Sequence, residues 1–148
     1  MFSFMLLFFG IVLKIEAKPN IVLFLTDDQD LVLGGLEPMT KTKKWFENGQ
    51  NFDNAFVSTP ICCPSRSSML TGRYQHNTHV FNNSASGNCY GEEWTSENGL
   101  EAKSTYAAII KSNTNYETFY AGKYLNNYKT KNIPKGWDNW YGLIGNSR

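Results

Sequence analysis

Residues 62–73 read Cys-Cys-Pro-Ser-Arg-Ser-Ser-Met-Leu-Thr-Gly-Arg, and their punctuation leaves little choice of conformation. Proline near the start of a short run and glycine just past its end mark a helix. Proline's missing N–H and fixed φ suit the first turn, and glycine accepts the left-handed cap. The stretch therefore predicts a helix with Cys62 at or just before its N-terminus. Unpaired backbone N–H groups there favour negative charge, whether a deprotonated nucleophile or a bound anion. Arg66, about one turn further on, adds a planar donor fork that suits sulfate or phosphate. On the residues alone, two readings stand. One is an anion site with a nucleophile in it, and the other is a buried cysteine pair before an ordinary helix, since free cysteine packs as a small hydrophobe.

The rest of the chain limits the setting. With 148 residues, 14 basic and 13 acidic groups, it is long enough for one modest core and gives no electrostatic case for nucleic acid. Residues 2–12 are almost wholly apolar, yet such a run is too short to cross a bilayer of roughly 30 Å as a helix. With Ala17 as the cleavage point, residues 1–17 read as a secretory signal peptide and the mature chain begins near Lys18, with no stable membrane span. An uncleaved anchor or a buried first strand is the alternative for that segment.

Ile21-Val22-Leu23-Phe24-Leu25 is continuously apolar, which predicts a strand buried on both faces of a parallel sheet. It stops at Asp27-Asp28. Ligands of open α/β sheets collect at the carboxyl ends of strands, and adjacent carboxylates there are costly without a cation. A solvated acidic turn is the competing reading. Residues 40–48 predict a short helix packed on the sheet and closed by Gly49, and residues 52–57 a strand or extended segment. His76 and His79 lie in a polar segment, either as solvated loop residues or as candidates for a substrate contact or proton donor. Asn82-Asn83-Ser84 is a glycosylation sequon with Asn82 as the acceptor. Of the three cysteines, Cys62, Cys63 and Cys89, the sequence leaves open which pair, with one another or with a residue this chain lacks. Ser104 predicts a helix cap, and residues 116–121 predict a second strand that sets Lys123 just past its end, on the same sheet edge as Asp27, Asp28 and Cys62. A lone lysine after a strand is otherwise a solvated loop residue. Trp137, Trp140 and Tyr141 suit core packing better than a sugar platform, and no site is assigned to them.

A resemblance sharpens these readings. Residues 62–73 match the sulfatase signature Cys-x-Pro-Ser-Arg-x-x-x-Leu-Thr-Gly-Arg at every fixed position, and the chain is identified as a member of that family. The resemblance implies that Cys62, not Cys63, is oxidised to formylglycine by a formylglycine-generating enzyme, and that its hydrate is the nucleophile, with Arg66 beside it. Residues 19–28 resemble the first strand of sulfatases, which implies that Asp27 and Asp28, with residue 62, bind Ca2+. No role passes to Asp30. Gly122-Lys123-Tyr124 resembles the motif whose lysine binds the sulfate group, although Leu125 stands where many members have histidine.

Residues 122–128, Gly-Lys-Tyr-Leu-Asn-Asn-Tyr, resemble the branch of glucosamine-6-sulfatases and extracellular heparan endosulfatases. The implied fold is α/β and alkaline-phosphatase-like with a mostly parallel central sheet, of which residues 18–148 would be the N-terminal portion, truncated inside the domain. The implied activity is removal of 6-O-sulfate from N-acetylglucosamine or glucosamine residues of heparan or keratan sulfate, in the lysosome. An extracellular heparan sulfate 6-O-endosulfatase, or a catalytically inert truncated fragment, is the alternative. A phosphate-ester hydrolase of the related fold would use serine or threonine as nucleophile, and Cys62 within the full signature argues against it.

Overall fold

The computed structural model describes residues 18–145, so the signal-peptide reading of residues 1–17 lies outside the described residues. The chain divides into two compact units at Thr40 and Lys41.

In the first unit, residues 18–26 run without helix or strand. Ile21 to Leu25 are 50–79 % exposed, which corrects the expectation of a strand buried on both faces. Such a strand needs hydrogen-bonded neighbours on both sides, and among the described residues the only sheet is a two-stranded one to which this run does not belong. The turns after it are organised by Asp30. Its side chain accepts from the Leu33 N–H and fills the space beside Gly35, where a Cβ would meet Asp30 Oδ2 at 2.8 Å. Asp30 thus works as the loop carboxylate its position indicates.

The second unit holds the regular structure. Helix α1 (Thr40–Trp45), which begins at the boundary, has no buried residue, and Trp45 and Phe46 are exposed, so it does not pack on a sheet as expected. Residues 52–57 form no strand. Helix α2 (Cys62–Thr71) follows the predicted limits: Gly72 caps it at φ 65°, donating its N–H to the Ser68 carbonyl at 2.8 Å. The polar segment with the histidines is a short helix, α3 (Gln75–Thr78). A 3-10 turn (Ala85–Gly87) and helices α4 (Glu92–Thr95) and α5 (Leu100–Lys103) lead to helix α6 (Tyr106–Asn113). That last helix is capped by Thr105, one residue beyond the expected Ser104, because the Thr105 hydroxyl accepts from the Ala108 N–H.

Strands β1 (Phe119–Lys123) and β2 (Asn139–Leu143) pair in parallel, with Ala121 opposite Tyr141. The crossover, residues 124–138, carries Tyr124, Leu125 and Tyr128 into the core with Cys63, Leu70, Val80, Cys89 and Trp94. Trp140 stacks on Tyr120 at 4.7 Å between ring centroids, so two of the aromatic residues of 137–140 serve packing, while Tyr141 is exposed. The crossover reaches α6 through Gly136, at φ 95°, where a Cβ would lie 2.3 Å from the Ala108 nitrogen. A Cys63–Cys89 disulfide ties α2 to the segment before α4 across 26 residues, a closure that raises the unfolded chain's free energy by about 3.5 kcal/mol in the chain-entropy picture.

Asp138 joins α6, β1 and β2. Its carboxylate pairs with Lys111 at 2.6 Å and accepts from the Thr118 N–H at 2.9 Å. Lys111 first, and then Thr118, hold this carboxyl down at about 2. The unfolded value is 3.8, so the stabilisation is fully present above that pH and is lost as pH falls through about 2. Acid titration should therefore show Asp138→Asn less stable than the parent above pH 3.8, with the difference closing toward pH 2. A difference that stays constant across that window would contradict the assignment.

Candidate active site

Cys62 is the first residue of α2, half-buried and outside the disulfide, so the free thiol belongs to the residue the sequence singled out and not to its neighbour. The first helical bond runs from the Ser65 N–H to the Ile61 carbonyl at 3.1 Å. Pro64 falls in the first turn, where its missing N–H costs no helical bond.

Arg66 lies one turn into the same helix and is buried, 7 % exposed. A guanidinium withdrawn from water needs strong acceptors. One of its partners is the Lys123 carbonyl, which accepts from Arg66 Nη1 at 2.5 Å across 57 residues of sequence. The Tyr120 hydroxyl donates to the same carbonyl at 2.5 Å. Burial pushes the Tyr120 phenol up to about 12, against the opposing pull of the Arg66 charge, so the hydroxyl stays a donor across the physiological range. Lys123 is the last residue of β1 rather than the first beyond it, at the carboxyl edge of the parallel pair. The structure thus brings Arg66 and Lys123 together and places Cys62 a turn before Arg66.

Tyr124 follows Lys123 into the core, where its hydroxyl donates to Glu101 Oε1 at 3.1 Å and Trp94 Nε1 donates to the same oxygen at 3.2 Å. Burial raises the Glu101 pKa, with the two donors opposing. Leu125, the departure from the usual histidine, is fully buried, and its side chain serves the core.

Asp27 and Asp28 belong to the first unit. Both are exposed, with carboxylate oxygens within 4.8 Å of one another, and Asp28 adopts φ 49°. Both side chains offer hard carboxylate oxygens, the donor type that calcium takes. Of the histidines, His79 ends α3 with Nδ1 2.8 Å from Glu93, and His76 stacks on Tyr74, so both have neighbours outside the Arg66–Lys123 cluster. Asn82 is exposed, and its Oδ1 accepts from Ser84 N at 2.8 Å. Sequence reasoning missed Tyr120, Glu101 and Asn83. Tyr120 sits three residues before Lys123 in a strand, and the alternation of side chains offered no sign that its hydroxyl turns back to that carbonyl.

The sulfatase family model matches residues 19–148. The chain belongs to the sulfatase family. This sulfatase chain is 47 % identical over 138 residues to the N-acetylglucosamine-6-sulfatase of Homo sapiens, which covers 88 % of the chain and 24 % of that protein. It is 46 % identical over 134 residues to the extracellular sulfatase SULF-1 homolog of Drosophila melanogaster, covering 90 % and 12 %. An arylsulfatase of Volvox carteri is 32 % identical over 133 residues, covering 86 % and 20 %. The chain therefore spans a quarter or less of the length of these curated relatives. No solved structure matches it.

The shared acceptor makes a measurable claim. Arg66→Met should lower stability by about 2 kcal/mol and Tyr120→Phe by about 1 kcal/mol, as expected for a charged and a neutral hydrogen bond. Because both donate to one carbonyl, the double variant should depart from the sum in denaturant unfolding. Strict additivity would show that the two donors act independently.

Proposed function

We propose that residues 18–148 form the N-terminal portion of an alkaline-phosphatase-like sulfatase domain that hydrolyses 6-O-sulfate esters of N-acetylglucosamine or glucosamine residues in glycosaminoglycans. The observation that carries the reading is the construction of α2: a free Cys62 at its first residue, with Arg66 one turn on fastened to the Lys123 carbonyl. The substrate class rests on the similarity to N-acetylglucosamine-6-sulfatases.

In this reading Cys62 is converted to formylglycine during passage through the secretory pathway, and residue 62 acts as the aldehyde hydrate. One hydroxyl attacks sulfur and the sulfur–oxygen bond to the sugar breaks, so the sugar leaves as its alcohol after protonation. The second hydroxyl then loses its proton, the aldehyde reforms and sulfate departs. Water restores the hydrate. A serine or an unmodified cysteine has no second hydroxyl for that expulsion. Lys123 neutralises charge on the sulfuryl oxygens, and Arg66 orients residue 62 while its bond to the Lys123 carbonyl keeps the two in register. Asp27 and Asp28, with residue 62, are the ligands in this reading for Ca2+, which when bound supplies positive charge to lower the hydroxyl pKa and to stabilise the anionic sulfuryl group.

Asn82 is the proposed glycan acceptor, which fits its exposure. The proposed destination is the lysosome. No helix among the described residues is long and apolar enough to cross a membrane. A second reading, an extracellular 6-O-endosulfatase, draws on the 46 % identity to the extracellular relative. Release of sulfate from internal rather than terminal residues of heparan sulfate would distinguish it.

The test uses the full-length protein produced with the modifying enzyme. Sulfate release from 6-sulfated N-acetylglucosamine should be abolished in Cys62→Ala. It should fall by several orders of magnitude in Asp27→Ala, together with the bound calcium counted by elemental analysis. Undiminished calcium and activity in Asp27→Ala would remove the metal assignment, and undiminished release in Cys62→Ala would remove the nucleophile.

A further inference from the structure

Helix α2 starts without a side-chain cap from its own N-cap residue, because Ile61, at φ 60°, has no polar group to offer. The acceptor comes from elsewhere. The Cys63 N–H donates to Asn83 Oδ1 at 2.8 Å, twenty residues along the chain. The carbonyl of the same asparagine accepts from Asn127 Nδ2 at 2.7 Å. One residue therefore grips the peptide next to Cys62 with its side chain and the crossover just after Lys123 with its backbone. Both bonds are partly buried, and the Cys63–Cys89 disulfide limits how far the segment carrying Asn83 can move from the helix start.

We propose that Asn83 is a positioning residue for the reaction: it fixes the first turn of α2, and with it the reacting group at residue 62, relative to Lys123. The inference rests on the sulfatase reading of the same site. Arg66 joins α2 to the Lys123 carbonyl from within the helix, whereas Asn83 joins the helix start to Asn127 from outside it. Together the two links define both the separation and the rotation of α2 against the end of β1. Beyond what the disulfide and core packing hold, a single link would fix α2 against this edge at one point only, and displacement of a reacting group by about 1 Å lowers rates by orders of magnitude. An amide is also the appropriate acceptor for a site that binds sulfate. A carboxylate would satisfy the same N–H but would place a negative charge beside the incoming anion.

Three full-length proteins distinguish the outcomes: the parent, Asn83→Ala and Asn83→Asp. Both variants keep Asn82 and Ser84, so the glycosylation sequon survives. With activity normalised to formylglycine content, Asn83→Ala should lower kcat about tenfold, the worth of one hydrogen bond at the upper end of its range, with KM within about twofold. Asn83→Asp should restore kcat to within about threefold while raising KM, because its oxygen still accepts but its charge opposes the sulfate. Backbone exchange at the Cys63 amide, read by hydrogen–deuterium exchange, should be faster in Asn83→Ala and return to the parent rate in Asn83→Asp. Unchanged kcat in Asn83→Ala, or equal loss in both variants, would overturn the proposal. If the parent releases no sulfate, the functional reading fails, and Cys63 exchange still decides the helix-start role: unchanged protection in Asn83→Ala overturns it.

Discussion

The buried guanidinium of Arg66 is the constraint on which the second unit is built. A charge that cannot be neutralised by losing a proton must be met by acceptors wherever it is buried. Its bond to the Lys123 carbonyl makes the end of β1 one of the places where that requirement is met. The consequences extend outward. Tyr120 reaches the same carbonyl, stacks on Trp140 of β2 and packs edge-on against Tyr124. Tyr124 in turn reaches Glu101 on α5. A single polar contact between a helix and a strand is thus continuous with the aromatic core, and loosening it would disturb packing as well as the candidate site.

What the sequence made legible was local. Helix α2 could be read to its last residue because proline in the first turn and glycine at the left-handed cap are requirements of backbone geometry. β1 was visible through the aromatic and β-branched residues of 116–121, and the strand itself, Phe119–Lys123, starts three residues and ends two residues later than expected. β2 was not read as a strand, since Trp137, Trp140 and Tyr141 drew attention as an aromatic cluster and two intervening polar residues hid the alternation. Ile21 to Leu25 had the composition of a doubly buried strand, but composition states only what a segment would suit. Ladder partners are a tertiary property, and none pairs with it among the described residues.

The candidate site divides in the same way. Cys62, Arg66 and Lys123 were named from the chain, and the second unit supplies the reason two of them belong together, the Arg66–Lys123 carbonyl bond. Asn83 could not be read from sequence, because a long-range cap leaves no periodic signal and the residue lies inside a sequon that already gives its neighbours a role. The Cys63–Cys89 pairing was likewise undetermined until the two Cα atoms were found 5.9 Å apart. That disulfide separates the roles of two adjacent cysteines: Cys63 is committed to holding the fold, and Cys62 is left with a free thiol.

The central claim is that residue 62, and not its disulfide-bonded neighbour, is the chemically converted one. Peptide mapping by mass spectrometry of the full-length protein, produced in a secretory system with the modifying enzyme, tests this most directly. The peptide ending at Arg66 should carry an aldehyde in place of the Cys62 thiol, with Cys63 linked to Cys89. Catalytically active protein in which Cys62 is still a thiol, or in which Cys63 bears the aldehyde, would contradict the account.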